Sequence, residues 1–274
     1  MTTVSYTSLP NRGVLFIEGE DRLEFLQGLI SNDVKKITQN DAIYAAFLTP
    51  QGKFLCDFFI IQSGEGLLLD IESDALASFK KKLTMYKLRS KVTIKDVSED
   101  YSVLAAFGGS IEQTGVFKDP RLDAAGYRAI LGKGTVIVGA NEVSFDAYDL
   151  HRIKLGLPDG SRDMSIEKSI LLENGFDELN GVDWNKGCYM GQELTARTKY
   201  RALIKKRLFP VAIDGDLPEP GTEILLGEKV IGEIHSGIGS HALATLKLDA
   251  LEKELTAGNA KVTASKPQWM VIPE

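Results

Sequence analysis

Residues Lys186 to Glu193 read KGCYMGQE, and the run continues as LTARTKYR to Arg201. Two glycines, Gly187 and Gly191, flank a thiol and an aromatic ring, Cys188 and Tyr189. From Gln192 onward the composition is helix-forming, which puts Cys188 on a tight turn just ahead of a helix N-terminus. Backbone N–H groups and the positive end of a helix dipole stabilise a thiolate there, and Lys186 adds to that field. The expectation is a thiol more acidic than the pKa of about 8.5 typical of free cysteine. A second reading stays open beside it. Free cysteine is among the most buried residue types, and glycines also serve simply to turn a chain.

Outward toward the C-terminus the texture changes after about Lys206. RLFPVAI, TEILL, KVIGEIHSGIG, HALATLKL, KVTA and QWMVI are short strand-like runs punctuated by Gly, Pro and Asp. Such punctuation predicts a small all-β barrel or sandwich. The division falls between residues 1–203 and 204–274. His235 and His241 sit in this region without other nearby ligands and read as structural.

Outward toward the N-terminus the pattern is mixed. Gly13 to Glu18 reads as a strand, followed by a helix over roughly Asp21 to Ile30 with Leu23, Leu26 and Ile30 at helical spacing. Ala42 to Leu48 and Lys53 to Gln62 form a hairpin across Thr49-Pro50-Gln51-Gly52, a type I turn signal. Ser73 caps a helix carrying Leu76, Phe79, Leu83 and Tyr86 on one face. Another helix starts near Ser144 and is stopped by Gly156 and Pro158. The order of elements predicts an α+β domain.

Composition narrows the function classes. The 274 residues are 43% hydrophobic and 26% charged, with a formal net charge of −6. A chain this acidic lacks the basic footprint of a nucleic-acid binder. No apolar run approaches the ~20 residues of a spanning helix, and the N-terminus shows no signal or transit pattern, so a cytoplasmic protein is expected. Cys56 and Cys188 are the only cysteines. Two thiols cannot supply the usual four ligands of a cluster, so no resident metal is expected.

KGCYMGQE matches the K-G-C-Y-x-G-Q-E signature of the YgfZ-type folate-binding proteins, through Lys186, Gly187, Cys188, Tyr189, Gly191, Gln192 and Glu193. FLQGLISND, TPQGKFLCDFFI and KLTMYKLRSKVTI resemble further segments of that family, as does the stretch from HRIKLGLP to ENGFDELNGVDWNKGCY. The family is akin to the T-protein of the glycine cleavage system. The resemblance implies a T-protein-like α+β folate-binding domain followed by a small C-terminal β-barrel. It also implies tetrahydrofolate or a one-carbon derivative as cofactor, and a role in making or maintaining iron–sulfur proteins. Folate and iron–sulfur client or assembly proteins are then the partners, with no nucleic acid and no membrane.

The resemblance carries over residue by residue. Asp57 looks like the carboxylate that T-proteins place near the reactive nitrogens of folate, where it stabilises a cation or moves a proton. Alternation along Phe54, Cys56 and Phe58 puts Asp57 on the opposite face with Leu55 and Phe59. Glu173 resembles an acid suited to the pterin by paired hydrogen bonds. The T-protein L-R-x-E-x-G segment departs here, with Lys154 in place of the acid, which counts against an aminomethyltransferase. Lys199, Arg201, Lys205, Lys206 and Arg207 form a basic stretch that is either a solvated linker face or an attractor for a folate glutamate tail or an acidic partner. Arg197, one helical turn from Glu193, is the single best candidate there. Cys188 and Asp57 are thus the expected catalytic residues, and Asp57, Glu173, Arg197 and Tyr189 the expected cofactor contacts. The alternatives are a folate-dependent aminomethyltransferase and a folate-binding module without chemistry at Cys188.

Overall fold

The computed structural model describes residues 4–201 and 204–272, so the expected division at 203/204 lies outside the described residues. The N-terminal part runs β1 (Ser5–Ser8), β2 (Arg12–Glu18), α1 (Arg22–Gln27), β3 (Ile43–Leu48), β4 (Phe54–Ser63), β5 (Gly66–Glu72) and α2 (Ser73–Lys87). It continues with β6 (Thr93–Asp96), β7 (Tyr101–Phe107), β8 (Val116–Lys118), β9 (Tyr127–Gly132), β10 (Asn141–Glu142), α3 (Phe145–Leu155) and α4 (Gln192–Tyr200). Two five-stranded sheets result, ordered β3-β4-β5-β2-β6 and β10-β1-β7-β9-β8.

The first sheet is covered on both faces. Leu15, Ile17, Phe58, Ile60, Leu69 and Ile71 point toward α1 and α2, where Leu26, Phe79 and Leu83 meet them. On the other face Val14 and Leu68 pack against Val103, Ala105 and Ile130 of the second sheet. This double burial explains β5, GLLLDIE, in which every residue is buried. A strand with two dry faces loses the alternation that marks a half-exposed one.

The C-terminal part is a closed barrel, β11 (Lys206–Asp214), β12 (Glu223–Leu226), β13 (Lys229–Ile238), β14 (His241–Lys247), β15 (Leu255–Ala257) and β16 (Ala260–Ala264). Its order is β11-β14-β13-β12-β15-β16, with β16 returning to β11 so that no edge is left open. QWMVI is not one of its strands. Met270 is buried in the barrel core, and the Trp269 indole N–H donates to Leu155 O at 2.7 Å, fastening the tail to α3.

Helix α3 behaves as its sequence predicts. Ser144 occupies the N-cap position, and Gly156 ends the helix in the left-handed conformation at φ +75°. Ser73 is instead the first residue of α2 rather than its cap; Glu72 holds that position with no side-chain cap bond. Among the described residues no helix is long and apolar enough to cross a membrane.

Candidate functional site

Three segments distant in sequence meet here: the Thr49–Gly52 hairpin turn, the Lys186–Glu193 loop, and the end of α1 with the loop after it. The hairpin turn closes when the Gly52 N–H donates to Thr49 O at 2.8 Å. Gly52 and Gly191 then meet backbone to backbone, at φ +81° and +82°. A Cβ on Gly191 would lie 2.5 Å from Thr49 O, and one on Gly52 would lie 2.6 Å from Gly191 O. Both positions therefore exclude a side chain on steric as well as conformational grounds.

The third segment is the end of α1 and its following loop. Met190 N–H donates to Gly28 O at 3.0 Å, and Asp183 N–H to Ser31 O at 3.0 Å. The Ser31 hydroxyl donates to Gly181 O at 2.6 Å. The Asn32 side-chain amide bridges Tyr44 O and Asn180 O. Lys186 completes the joint: its ammonium donates to Ile30 O at 2.6 Å and Asn32 O at 2.8 Å. Burial pulls the Lys186 amine down to about 8, against the pull of Asp33 and Asp183. The same ammonium lies 5.0 Å from the centre of the Tyr189 ring.

Lys186 is thus spent on loop carbonyls, which fixes the loop's path. Cys188, two residues on, is free and exposed, four positions ahead of the first residue of α4. Tyr189 turns inward and is buried in the apolar cluster of Tyr44, Phe54, Phe59 and Phe176. That burial pushes its hydroxyl up to about 12. Gln192 secures the turn by accepting from Tyr189 N–H through its side-chain oxygen, while Gly187 and Glu193 are open to solvent.

The cluster that Tyr189 joins borders one group of buried charges through Tyr44. Asp57 is 2% exposed and accepts one hydrogen bond, from the Tyr44 hydroxyl to Oδ2 at 2.8 Å. Among the described residues its Oδ1 has no partner. Burial pushes the Asp57 carboxyl up to about 6, even though the Arg12 guanidinium and the Tyr44 hydroxyl favour its charged form. Leu55 does not share its face: it packs with Cys56 against the helix side, and Phe54 crosses to the Asp57 side. The cause is a register shift between β3 and β4 near Phe47/Leu48, which resets the alternation at that end of the strand.

Around Asp57 the structure gathers residues with no local sequence signal. Asp70 takes Arg12 Nε at 2.6 Å on one oxygen and Arg128 Nε at 2.9 Å on the other. Arg121 is held by Asp119 at 2.7 Å. Arg128 and Arg121 stand over the Phe59 ring at 4.0 Å and 4.9 Å, and Arg121 also over Tyr44 at 5.5 Å. Guanidinium groups stacked on rings and paired with carboxylates in a dry interior make a rigid wall.

The remaining expected residues lie apart from this cluster. Glu173 sits in a 3-10 turn, 3.7 Å from Lys206 at the start of the barrel, and burial raises its carboxyl. Its charged neighbours, Lys206 and Lys53, are not those of Asp57, which are Arg12, Asp159 and Glu72. Arg197 is exposed on the last turn of α4. The basic stretch is not one face: Lys199 pairs with Asp177 and lies over Trp184, while Arg207 is buried on Glu178. Among the described residues no group of three or more His, Cys, Asp or Glu is placed to hold a metal ion.

Comparison with known proteins follows the two parts of the chain. Residues 3–113 match the GCVT N-terminal domain family, and residues 205–272 the CAF17 C-terminal beta-barrel domain family. The fold is similar to that of glycine cleavage system aminomethyltransferase T from Bartonella henselae, with a TM-score of 0.77 over 98% of this chain and 87% of that one, at 13% identity. The class is therefore a T-protein-like α+β domain carrying a closed C-terminal β-barrel.

Curated relatives are more specific. The human "Iron-sulfur cluster assembly factor IBA57, mitochondrial" is 31% identical over 300 residues, covering 95% of this chain and 84% of that protein. An IBA57 homolog from Mycosarcoma maydis is 38% identical over 232 residues, covering 77% of this chain. The chain spans 58% of the length of that fungal protein. The chain belongs to the IBA57 family of iron–sulfur cluster assembly factors. The expected cytoplasmic location is corrected by the same comparison, because both relatives are named mitochondrial.

Proposed function

We propose that this chain supports the assembly or repair of iron–sulfur enzymes, with Cys188 as its outward-facing working group and a reduced folate bound at Asp57. The observation that carries the proposal is the shared platform. One loop pinned by Lys186 holds Cys188 in solvent and sends Tyr189 into the cluster that ends at the unpaired Oδ1 of Asp57. A buried carboxylate oxygen without a donor is a place for a ligand N–H.

The residues present fit a folate in that respect, and the resemblance to YgfZ-type proteins supports it. Asp57 and Tyr44 would hold the ligand, with the guanidinium-backed Phe59 as an aromatic wall. The folate would supply a reduced pterin or a one-carbon unit. Asp57, with its carboxyl near neutrality, is suited to accept or return a proton at a ligand nitrogen. Glu173 and Arg197 stand apart from Asp57, so pterin and tail contacts through them require ligand that extends beyond that cluster. The division into residues 1–203 and 204–274 goes with this proposal, the first part holding folate and cysteine.

The test is complementation of a gene deletion with wild type and Cys188→Ala, assaying iron–sulfur enzymes and glycine cleavage in parallel. Selective loss of cluster enzymes that the alanine variant does not restore is the expected result. Full rescue by Cys188→Ala removes the cysteine from the function, and a glycine-cleavage defect points to an aminomethyltransferase.

A further inference from the structure

A second site lies away from Cys188, where the loop Ser165–Ser169 meets the barrel. A cavity of about 470 Å³ opens there against β11, β13 and β14. Its lining brings together Lys168 from the loop, Lys206 from β11 and Lys247 from β14, with the hydroxyls of Ser165, Ser169 and Thr245. Glu233 is the one carboxylate in the same lining.

Two features make this arrangement unusual for an acidic chain. Lys206 and Lys247 stand directly opposite each other across the antiparallel β11–β14 pair. Residues so paired project from one face, and like charges there destabilise a sheet. The compensation is thin: Lys206 has only a 3.7 Å contact with Glu173, and among the described residues neither Lys168 nor Lys247 has an ion-pair partner. A fourth cation stands close, since Lys53 Nζ donates to Lys168 O at 3.1 Å. Lysine ammonium groups on separate stems are point charges, suited to anions that differ in position along a flexible chain rather than to one planar fork.

The cavity is also tied to the folate side of the molecule. Glu167 N–H donates to Phe54 O at 2.7 Å, and Phe54 N–H to Ser169 O at 3.0 Å. Phe54 is three residues along β4 from Asp57, roughly 10 Å at the usual strand rise. We propose that this cavity binds a short chain of oxyanions, and that its occupant is the linked-glutamate tail of a bound folate. The assignment to a tail rests on the folate site proposed at Asp57. The oxyanion chemistry does not, because a free polyphosphate offers the same charges.

Calorimetric titration separates these cases. The ligands are monoglutamyl tetrahydrofolate, triglutamyl tetrahydrofolate and inorganic tripolyphosphate, tested on wild type and on a Lys168→Ala/Lys247→Ala variant whose two sites are exposed. The expected result is triglutamyl folate binding about tenfold more tightly than the monoglutamyl form, as added exposed charge contacts allow. That margin shrinks as salt is added and vanishes in the double variant. Equal affinity of the two folates for wild type overturns the tail site and leaves the folate proposal standing. Tripolyphosphate binding that the double variant abolishes, with neither folate bound, keeps the oxyanion site and removes the folate proposal. Failure of all three ligands to bind overturns both.

Discussion

At the scale of single residues, the chemistry of the domain turns on Asp57. Its carboxyl is raised from an ordinary 3.8 to about 6, because the protein removes it from water and returns only one hydrogen bond. A carboxyl raised in the folded state contributes its stability below the unfolded value and loses it as pH climbs through the folded one. Wild type therefore carries the full strain of a buried, half-satisfied carboxylate at pH 8 and sheds it as pH falls through about 6 and below 3.8. Asp57→Asn keeps the shape and the acceptor for Tyr44 while removing the charge. It is expected to stabilise the fold by about 2–3 kcal/mol at pH 8 and by little below pH 4. Thermal melts of both proteins across that range test this, and a gain independent of pH would sink the idea. A protein that keeps such a group pays in stability for a site, which is consistent with a ligand supplying the missing donor.

At the scale of elements, local signals in the sequence were legible wherever one segment carries its own instruction. The Gly156 stop of α3, the hairpin turn and the helix after Gln192 all depend on neighbours within a few residues. The strand β5 was not legible, since its burial on both faces erases the period that would mark it. The site shows the same split. The Lys186–Glu193 run announces itself, whereas Arg12 and Arg128 reach Asp70 across 58 residues on either side. Nothing local predicts such a partnership.

The meeting of the hairpin with the loop ahead of α4 gives this scale its own prediction. Gly191 and Gly187 look alike in the motif but differ physically. Gly191 has φ +82° and a carbonyl 2.5 Å from where a Cβ would stand, whereas Gly187 has nothing within 4 Å. Gly191→Ala should cost about 2–4 kcal/mol by pushing the hairpin turn off the loop, and Gly187→Ala less than about 0.5. Guanidinium unfolding of the two variants measures the difference. Equal costs would mean that the glycine contact does not hold the platform together.

At the scale of the whole molecule, the barrel is held on by ionic and aromatic anchors rather than by a broad apolar seam alone. Trp269 reaches α3, Arg207 reaches Glu178, and a small cluster of Ile153, Leu208 and Leu243 fills the space between. The central anchor is Arg152, 1% exposed. It donates to Asp149 at 2.6 Å, to Asp163 at 2.7 Å and to the Ser236 hydroxyl of β13 at 2.7 Å. Asp163 in turn accepts from Ser236 N–H at 3.1 Å, so one carboxylate and one guanidinium bind the large domain to the barrel. Asp149 keeps Arg162 if Arg152 is lost, but among the described residues Asp163 keeps no ion-pair partner. Arg152→Leu therefore leaves a fully buried carboxylate unpaired, at an expected cost of about 3–5 kcal/mol. The loss should concentrate at the junction: amide exchange in β13 around Ser236 rises ahead of that in β4, because the barrel strand loses its anchor while the first sheet keeps its core. The oxyanion cavity shares β13 with this junction, so its ligand affinity should weaken in the same variant. A uniform rise in exchange across both parts would show that Arg152 supports the fold at large and not the attachment of the barrel.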